Sequence, residues 1–207
     1  MDALTVLHQD DECVAVDKPP GLLVHRTHQA PDRVVVLQML RDQIGRHIYP
    51  VHRLDRPASG VLVFGLSPEG ARRVQEQLAV ANKEYLVFVR GETPVAFESD
   101  RPLKSERGVP QEAYSEFRRL AVVRGFSLLR VRIRTGRRHQ IRRHLSHLGH
   151  QIVGDSQHGK GRINRWLRDD YGLPRMFLHA RRLTLGELTL RARFPDDLRS
   201  FLRRFRA

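Results

Sequence analysis

Apolar positions along this chain fall into short runs of two kinds, and the spacing inside each run predicts its structure. Leu4–His8 and Cys13–Asp17 are brief extended segments split by the polar stretch Gln9–Glu12, which predicts a hairpin or two edge strands. Lys18-Pro19-Pro20-Gly21 ends the second strand, because prolines cannot donate to a ladder and glycine permits a sharp turn. Over 32–44 the period lengthens: Val36, Leu37, Leu40 and Ile44 share one stripe, predicting a helix with Asp32 as its cap. Val61-Leu62-Val63-Phe64 is a continuous apolar run, the pattern of a buried strand. Ser67-Pro68-Glu69 then opens a second helix with a capping hydroxyl and a proline at its first turn. Ala71, Val74, Leu78 and Ala81 form its buried face.

Beyond Tyr85–Val89, a strand closed by Gly91, the pattern predicts further strands at 112–119, 127–134, 177–185 and 187–194. Alternation in Leu129–Arg134 places Arg130, Arg132 and Arg134 on one face. Residues 138–148 return to helical spacing with Ile141, Leu145 and Leu148 inward, and a last helix is expected from Pro195 to Phe205. There is no repeat, low-complexity tract or long linker. The expected fold is α+β, a large, mainly antiparallel mixed sheet flanked by helices and loops, forming a single catalytic-size domain over 1–207.

Charge changes the picture. The net charge is +14, yet residues 1–103 carry 12 Lys or Arg against 14 Asp or Glu, and residues 104–207 carry 25 against 9. A compositional bias would load both halves alike, so the asymmetry points to one face directed at a polyanion. Of the basic residues 33 are Arg and 4 Lys, favouring planar, bidentate contacts with phosphate. The single cysteine, Cys13, fits a reducing compartment. No secretory signal or membrane-length apolar run is present, so the expected location is the cytoplasm, with no membrane partner.

Three segments carry candidate chemistry. In His52-Arg53-Leu54-Asp55-Arg56-Pro57-Ala58-Ser59-Gly60 one carboxylate, Asp55, lies between two guanidinium side chains in a stretch that Pro57 and Gly60 keep from being helical. A salt bridge bracing a loop is the ordinary explanation, and a carboxylate kept ionised beside a polyanion is the functional one. Tyr85, in Lys83-Glu84-Tyr85, is either core packing or a platform on which a nucleobase stacks. Thr135-Gly136-Arg137-Arg138-His139-Gln140-Ile141-Arg142-Arg143-His144 joins a strand to a helix. Seven Arg fall within 130–143, a window without an acid, so they are expected to meet phosphate. His139, His144, His147 and His150 lack the cysteine or acid that would complete a zinc site, and no metal is expected. No esterase elbow, Walker loop or dinucleotide fingerprint is present.

These segments, in this order, resemble the RluA-type pseudouridine synthases. Residues 52–60 are similar to that family's His-Arg-Leu-Asp-x-x-Thr-Ser-Gly signature, with Ala58 in place of threonine. Lys18-Pro19-Pro20-Gly21 with His25, Lys83-Glu84-Tyr85, Thr135–Arg142, Gly149-His150 with Gly154-Asp155, and Leu178-His179-Ala180 are similar to its other motifs. His158 stands where many members have tyrosine. The resemblance implies isomerisation of a uridine in RNA: the N-glycosidic bond breaks and the base rejoins the ribose through carbon 5, without metal or cofactor. It implies that Asp55 is catalytic, whether by a covalent adduct or by proton abstraction, that Arg137 pairs with it, and that Tyr85 stacks on the target. His52, Arg53, Lys83, Arg138, His139, Arg142 and Arg143 are the expected RNA contacts, with the Arg130/132/134 face as further candidates. The stretch 154–165 and the lack of an S4-type RNA-binding domain resemble the branch acting on uridine 65 of tRNA. A ribosomal RNA synthase and a non-catalytic RNA-binding protein are the alternatives. No obligatory protein partner is implied.

Overall fold

The polar break at Gln9–Glu12 does form a hairpin: β1 (Thr5–Gln9) runs antiparallel to β2 (Cys13–Lys18). Asp10 closes it, its Oδ1 accepting from the backbone N–H of Glu12 and of Cys13, each at 2.8 Å. The structure is a computed structural model and describes residues 3–26 and 34–207. The expected cap Asp32 lies outside the described residues; α1 (Val36–Ile44) starts at Val35 without a side-chain cap and stops at Gly45 in the left-handed region. There follow β3 (Tyr49–Pro50), β4 (Ser59–Gly65) and α2 (Pro68–Val80), whose cap Ser67 accepts from Gly70 N–H at 2.9 Å as its sequence predicts. Next come β5 (Asn82–Arg90), β6 (Ala96–Ser99), β7 (Leu103–Lys104), β8 (Pro110–Gln111), β9 (Ser115–Val123) and β10 (Phe126–Ile133). The chain ends with α3 (Gln140–His147), α4 (Gly161–Tyr171), β11 (Leu178–Leu185), β12 (Leu188–Arg191) and α5 (Asp196–Arg206).

The fold is α+β, a large mixed sheet, mainly antiparallel, with five helices among the described residues. Two compact units divide the chain: Met1–Asn82 with Ala180–Arg193, and Lys83–His179 with Phe194–Ala207. In the first unit β2 pairs with β1 and β4, β3 pairs with β4, and β12 pairs with β11. Its core sets Ala15, Val61 and Val63 against the predicted α2 face, Val74, Leu78 and Ala81. In the second unit the order is β5-β10-β9-β6, all antiparallel. Its core is aromatic: Phe88 lies 5.5 to 6.1 Å from the rings of Phe126, Phe177, Phe201 and Phe205. Each such ring contributes about 1.5–3 kcal/mol by burial.

Five described elements escape the periodicity. The short strands β3, β6, β7 and β8 have no apolar alternation, and α4 buries only Asn164 and Leu167 among many charged residues. Leu148, expected inward, is 41% exposed, because α3 ends at His147 and the chain turns away.

Candidate active site

Asp55 stands in the first unit, half-buried on the loop that joins β3 to β4. Ala58 N–H donates to the Asp55 carbonyl at 3.0 Å, closing a turn over Arg56-Pro57. Lys18, fully buried at the end of β2, holds this turn from behind. Its Nζ donates to the carbonyls of Pro19 at 2.8 Å, Ala58 at 2.9 Å and Arg56 at 3.3 Å. A buried ammonium is tolerated only when its protons are bonded in this way. The Pro19-Pro20-Gly21 turn is tied to the same loop twice: Gly21 N–H donates to the Arg56 carbonyl at 2.8 Å, and Arg56 Nε donates to the Gly21 carbonyl at 2.9 Å.

His52 and Gly60 fix the two ends. His52 Nε2 accepts from Val63 N–H at 3.0 Å, so that nitrogen carries no proton and the half-buried ring braces β4. Gly60 has φ +113°, and a Cβ there would overlap the backbone carbonyl of Ala180. Only glycine permits β4 to leave the Asp55 turn so close to β11. Arg53 and Arg56 are both exposed, and Ala58 is buried.

Tyr85 and Arg137 stand in the second unit. In the β5–β10 register Tyr85 lies opposite Val131 and Lys83 opposite Ile133, and Ile133 lies opposite Ser115 on β9. Opposed residues share a face, so Lys83, Tyr85 and Ser115 project the same way. Helix α3 covers that face: Gln140 Nε2 donates to Ser115 Oγ at 3.1 Å, and His144 Nδ1 pairs with the same hydroxyl at 3.0 Å. Lys83 and Tyr85 are half-buried, and burial lowers the Lys83 pKa. His144 is pushed down by burial and by the charges of His147 and Arg143, against the Arg101 carbonyl that its Nε2 meets at 3.0 Å.

The Thr135–His144 segment is held by Gln140, which is 3% exposed. Its Oε1 accepts from Thr135 Oγ1 at 2.7 Å and from Arg137 N–H at 3.0 Å, while its Nε2 donates to the Tyr114 carbonyl at 2.9 Å. Arg137 Nε donates to the Glu112 carbonyl at 2.9 Å. The strand-to-helix turn is thereby rigid, with His139 in the left-handed region at φ 52°, a conformation costing a non-glycine residue about 1 kcal/mol or more.

The arginines expected to meet phosphate also have partners within the protein. Arg142 is 5% exposed and clamps Asp155 bidentately, Nε to Oδ2 at 2.7 Å and an Nη to Oδ1 at 2.8 Å. It locks α3 to the 154–158 loop and offers no surface for RNA. Burial works to raise the Asp155 pKa, but hydrogen bonds from Arg142 and from the backbone of His158 and Gln157 outweigh it and hold the carboxyl below its usual range. Arg130 and Arg132 alternate with Val131, so they face away from Tyr85, and both meet Glu84, at 4.0 and 3.8 Å. Arg134 pairs with Glu116 at 2.9 Å. The acids that the 130–143 window lacks come from neighbouring strands.

A cavity of about 310 Å³ in the second unit is lined by Lys104, Glu106, Arg138, His139, Arg143 and His158 among others. Arg138 pairs with Glu106 at 2.6 Å on the surface, and an Arg143 Nη donates to the Lys104 carbonyl at 3.0 Å. Among the described residues, metal-type donors cluster at His8, Asp10 and Cys13. Their arrangement is explained by the β1–β2 turn that Asp10 closes.

Sequence reasoning had Lys18 and Asp155 only as members of family-like motifs and Gly60 only as a helix breaker, and gave none of them the bracing role seen here.

The chain is similar to known proteins over most of its length. The chain is 38% identical to tRNA pseudouridine synthase C of Haemophilus ducreyi, covering 98% of this chain and 96% of that protein. It is 42% identical to tRNA pseudouridine synthase C of Salmonella typhimurium, covering 88% and 80%. In fold it resembles human RNA Pseudouridylate Synthase Domain Containing 4, with TM-score 0.81 at 24% identity over 98% of this chain and 93% of that one. The profile of the RNA pseudouridylate synthase family spans residues 12–147, which include the Asp55 turn, Tyr85 and the Arg137 turn, and the chain belongs to that family.

Proposed function

We propose that this enzyme isomerises a uridine of tRNA to pseudouridine, at position 65, as one catalytic unit working in the cytoplasm. The observation that carries the reading is the Asp55 turn: a half-exposed carboxylate on a loop that a fully buried lysine pins through two of its carbonyls, those of Arg56 and Ala58. Such rigidity is what a carboxylate needs to meet a reacting sugar or base at fixed geometry. The relatives' names support tRNA as the substrate class. Tyr85 supplies the half-exposed ring on which a flipped base stacks, and Arg137 a guanidinium on a rigid turn. Arg53, Lys83, Arg138, His139 and Arg143 stand as the RNA contacts. The ribose C1′–N1 bond breaks and a C1′–C5 bond forms, so the C5 hydrogen is released to solvent while N1 gains one.

Tritium release from 5-[³H]uridine RNA tests this reading, comparing tRNA with ribosomal RNA and intact protein with Asp55→Ala. Release from tRNA that disappears in a folded Asp55→Ala variant is the expected result. Release from ribosomal RNA alone overturns the substrate. RNA binding without release from either overturns catalysis and leaves an RNA-binding protein.

A further inference from the structure

The Arg138–Arg143 cavity holds a feature that isomerisation does not use. His139 Nδ1 lies 3.2 Å from His158 Nε2, one ring donating and the other accepting. In either neutral arrangement, the two ring nitrogens outside that hydrogen bond are one donor and one acceptor. One added proton makes both donors and gives the pair a positive charge. We propose that this cavity binds a phosphodiester of the RNA backbone and that binding draws a proton onto the His139–His158 pair. The inference rests on the reading that the substrate is RNA.

The surrounding charges set the sign. Lys104, Arg138 and Arg143 line the cavity with the pair and oppose a further positive charge while it is empty. His144 and His147 on α3, and Lys160 past the loop, add to that opposition when charged. Glu106 is the one carboxylate among the lining residues, and it is committed to Arg138 at 2.6 Å. Asp155, behind the loop, receives the His158 backbone N–H at 3.0 Å and is neutralised by Arg142. A phosphodiester entering the cavity competes with Glu106 for Arg138 and reverses the local field, so the protonated pair becomes the favoured state. A cavity of about 310 Å³ is of a size for such a group with part of its ribose. The phosphodiester and the arginines do not titrate near neutral pH, so the imidazole pair is the group that receives the proton, which comes from solvent. Linkage then requires that RNA binds more tightly as pH falls, by up to about tenfold per pH unit for one proton.

The test is the dissociation constant for unmodified tRNA, measured by fluorescence anisotropy from about pH 5.5 to 8 at constant ionic strength. His158→Tyr keeps a ring and an O–H donor but does not titrate in this range. His158→Asn serves where tyrosine disturbs the loop, and circular dichroism confirms folding. Affinity in the unaltered protein is expected to rise toward low pH more steeply than in either variant. Parallel profiles, with turnover of tRNA retained, overturn the inference and leave the proposed function standing. Stabilisation by sulfate that grows at low pH, combined with parallel RNA profiles, assigns the cavity to a free oxyanion and also overturns it. No binding of tRNA by the unaltered protein at any pH defeats the proposed function itself.

Discussion

Replacing Lys18 with methionine removes one charge and little volume from the centre of the Asp55 loop. Three carbonyls, those of Pro19, Arg56 and Ala58, lose a charged donor at 2.8, 3.3 and 2.9 Å. Hydrogen bonds to charged groups contribute about 1.5–3 kcal/mol each, which sets an upper limit near 7 kcal/mol when the longest bond is weighted least. Removing a fully buried ammonium offsets part of this, since its desolvation costs several kcal/mol. The net expectation is destabilisation of about 3 kcal/mol, with a larger effect on catalysis because the loop loses its anchor. A displacement of the carboxylate by about 1 Å costs on the order of 100-fold in rate. Urea unfolding followed by circular dichroism measures the first effect, and tritium release well below the unfolding midpoint measures the second. Unchanged midpoint and unchanged turnover in Lys18→Met would refute the bracket. Lost stability with full turnover would leave it a fold element with no part in placing Asp55.

Asp155→Asn is expected to lower stability by about 3 kcal/mol by leaving Arg142 buried without its counter-charge. Because the folded Asp155 pKa is depressed, its contribution is present above the ordinary carboxylate range near pH 4 and is lost as pH falls through the lowered value. Unfolding midpoints should therefore drop more steeply below about pH 4 in the unaltered protein than in Asp155→Asn, and identical acid limbs would contradict the assignment. The Cys13 thiol is pushed up to about 12, by burial first and by the Asp10 charge second. At pH 8 only about one thiol in 10⁴ is then ionised, so iodoacetamide should label urea-unfolded protein and spare the native one. Equal labelling rates by mass spectrometry would show the thiol accessible.

How much was legible depends on how local each cause is. The β1–β2 hairpin, the Ser67-capped helix and the continuous apolar strand at 61–64 follow from spacing and turn chemistry within a few residues, and all three appear in the fold. The three chemical segments were equally visible, because Asp55, Tyr85 and Arg137 each sit in a run whose residue types act together. Helix α4 was not visible, since its buried face is only Asn164 and Leu167 and carries no apolar stripe.

The sequence by itself determined the kind of chemistry: an acid among bases, an aromatic at a strand start, and an arginine-rich turn in the basic half of the chain. Only the tertiary structure decided which charges reach the surface. Arg142 and Arg143 are adjacent, yet one is buried against Asp155 while the other lines a cavity. Arg130 and Arg132 meet Glu84 through strand register, a pairing set across 46 and 48 residues of chain. Electrostatic partners act across space and are dictated by register and burial, whereas turn and helix signals act along the chain. Lys18 joins the two levels, because its place after an apolar strand is local while the carbonyls of Arg56 and Ala58 come to it only through folding.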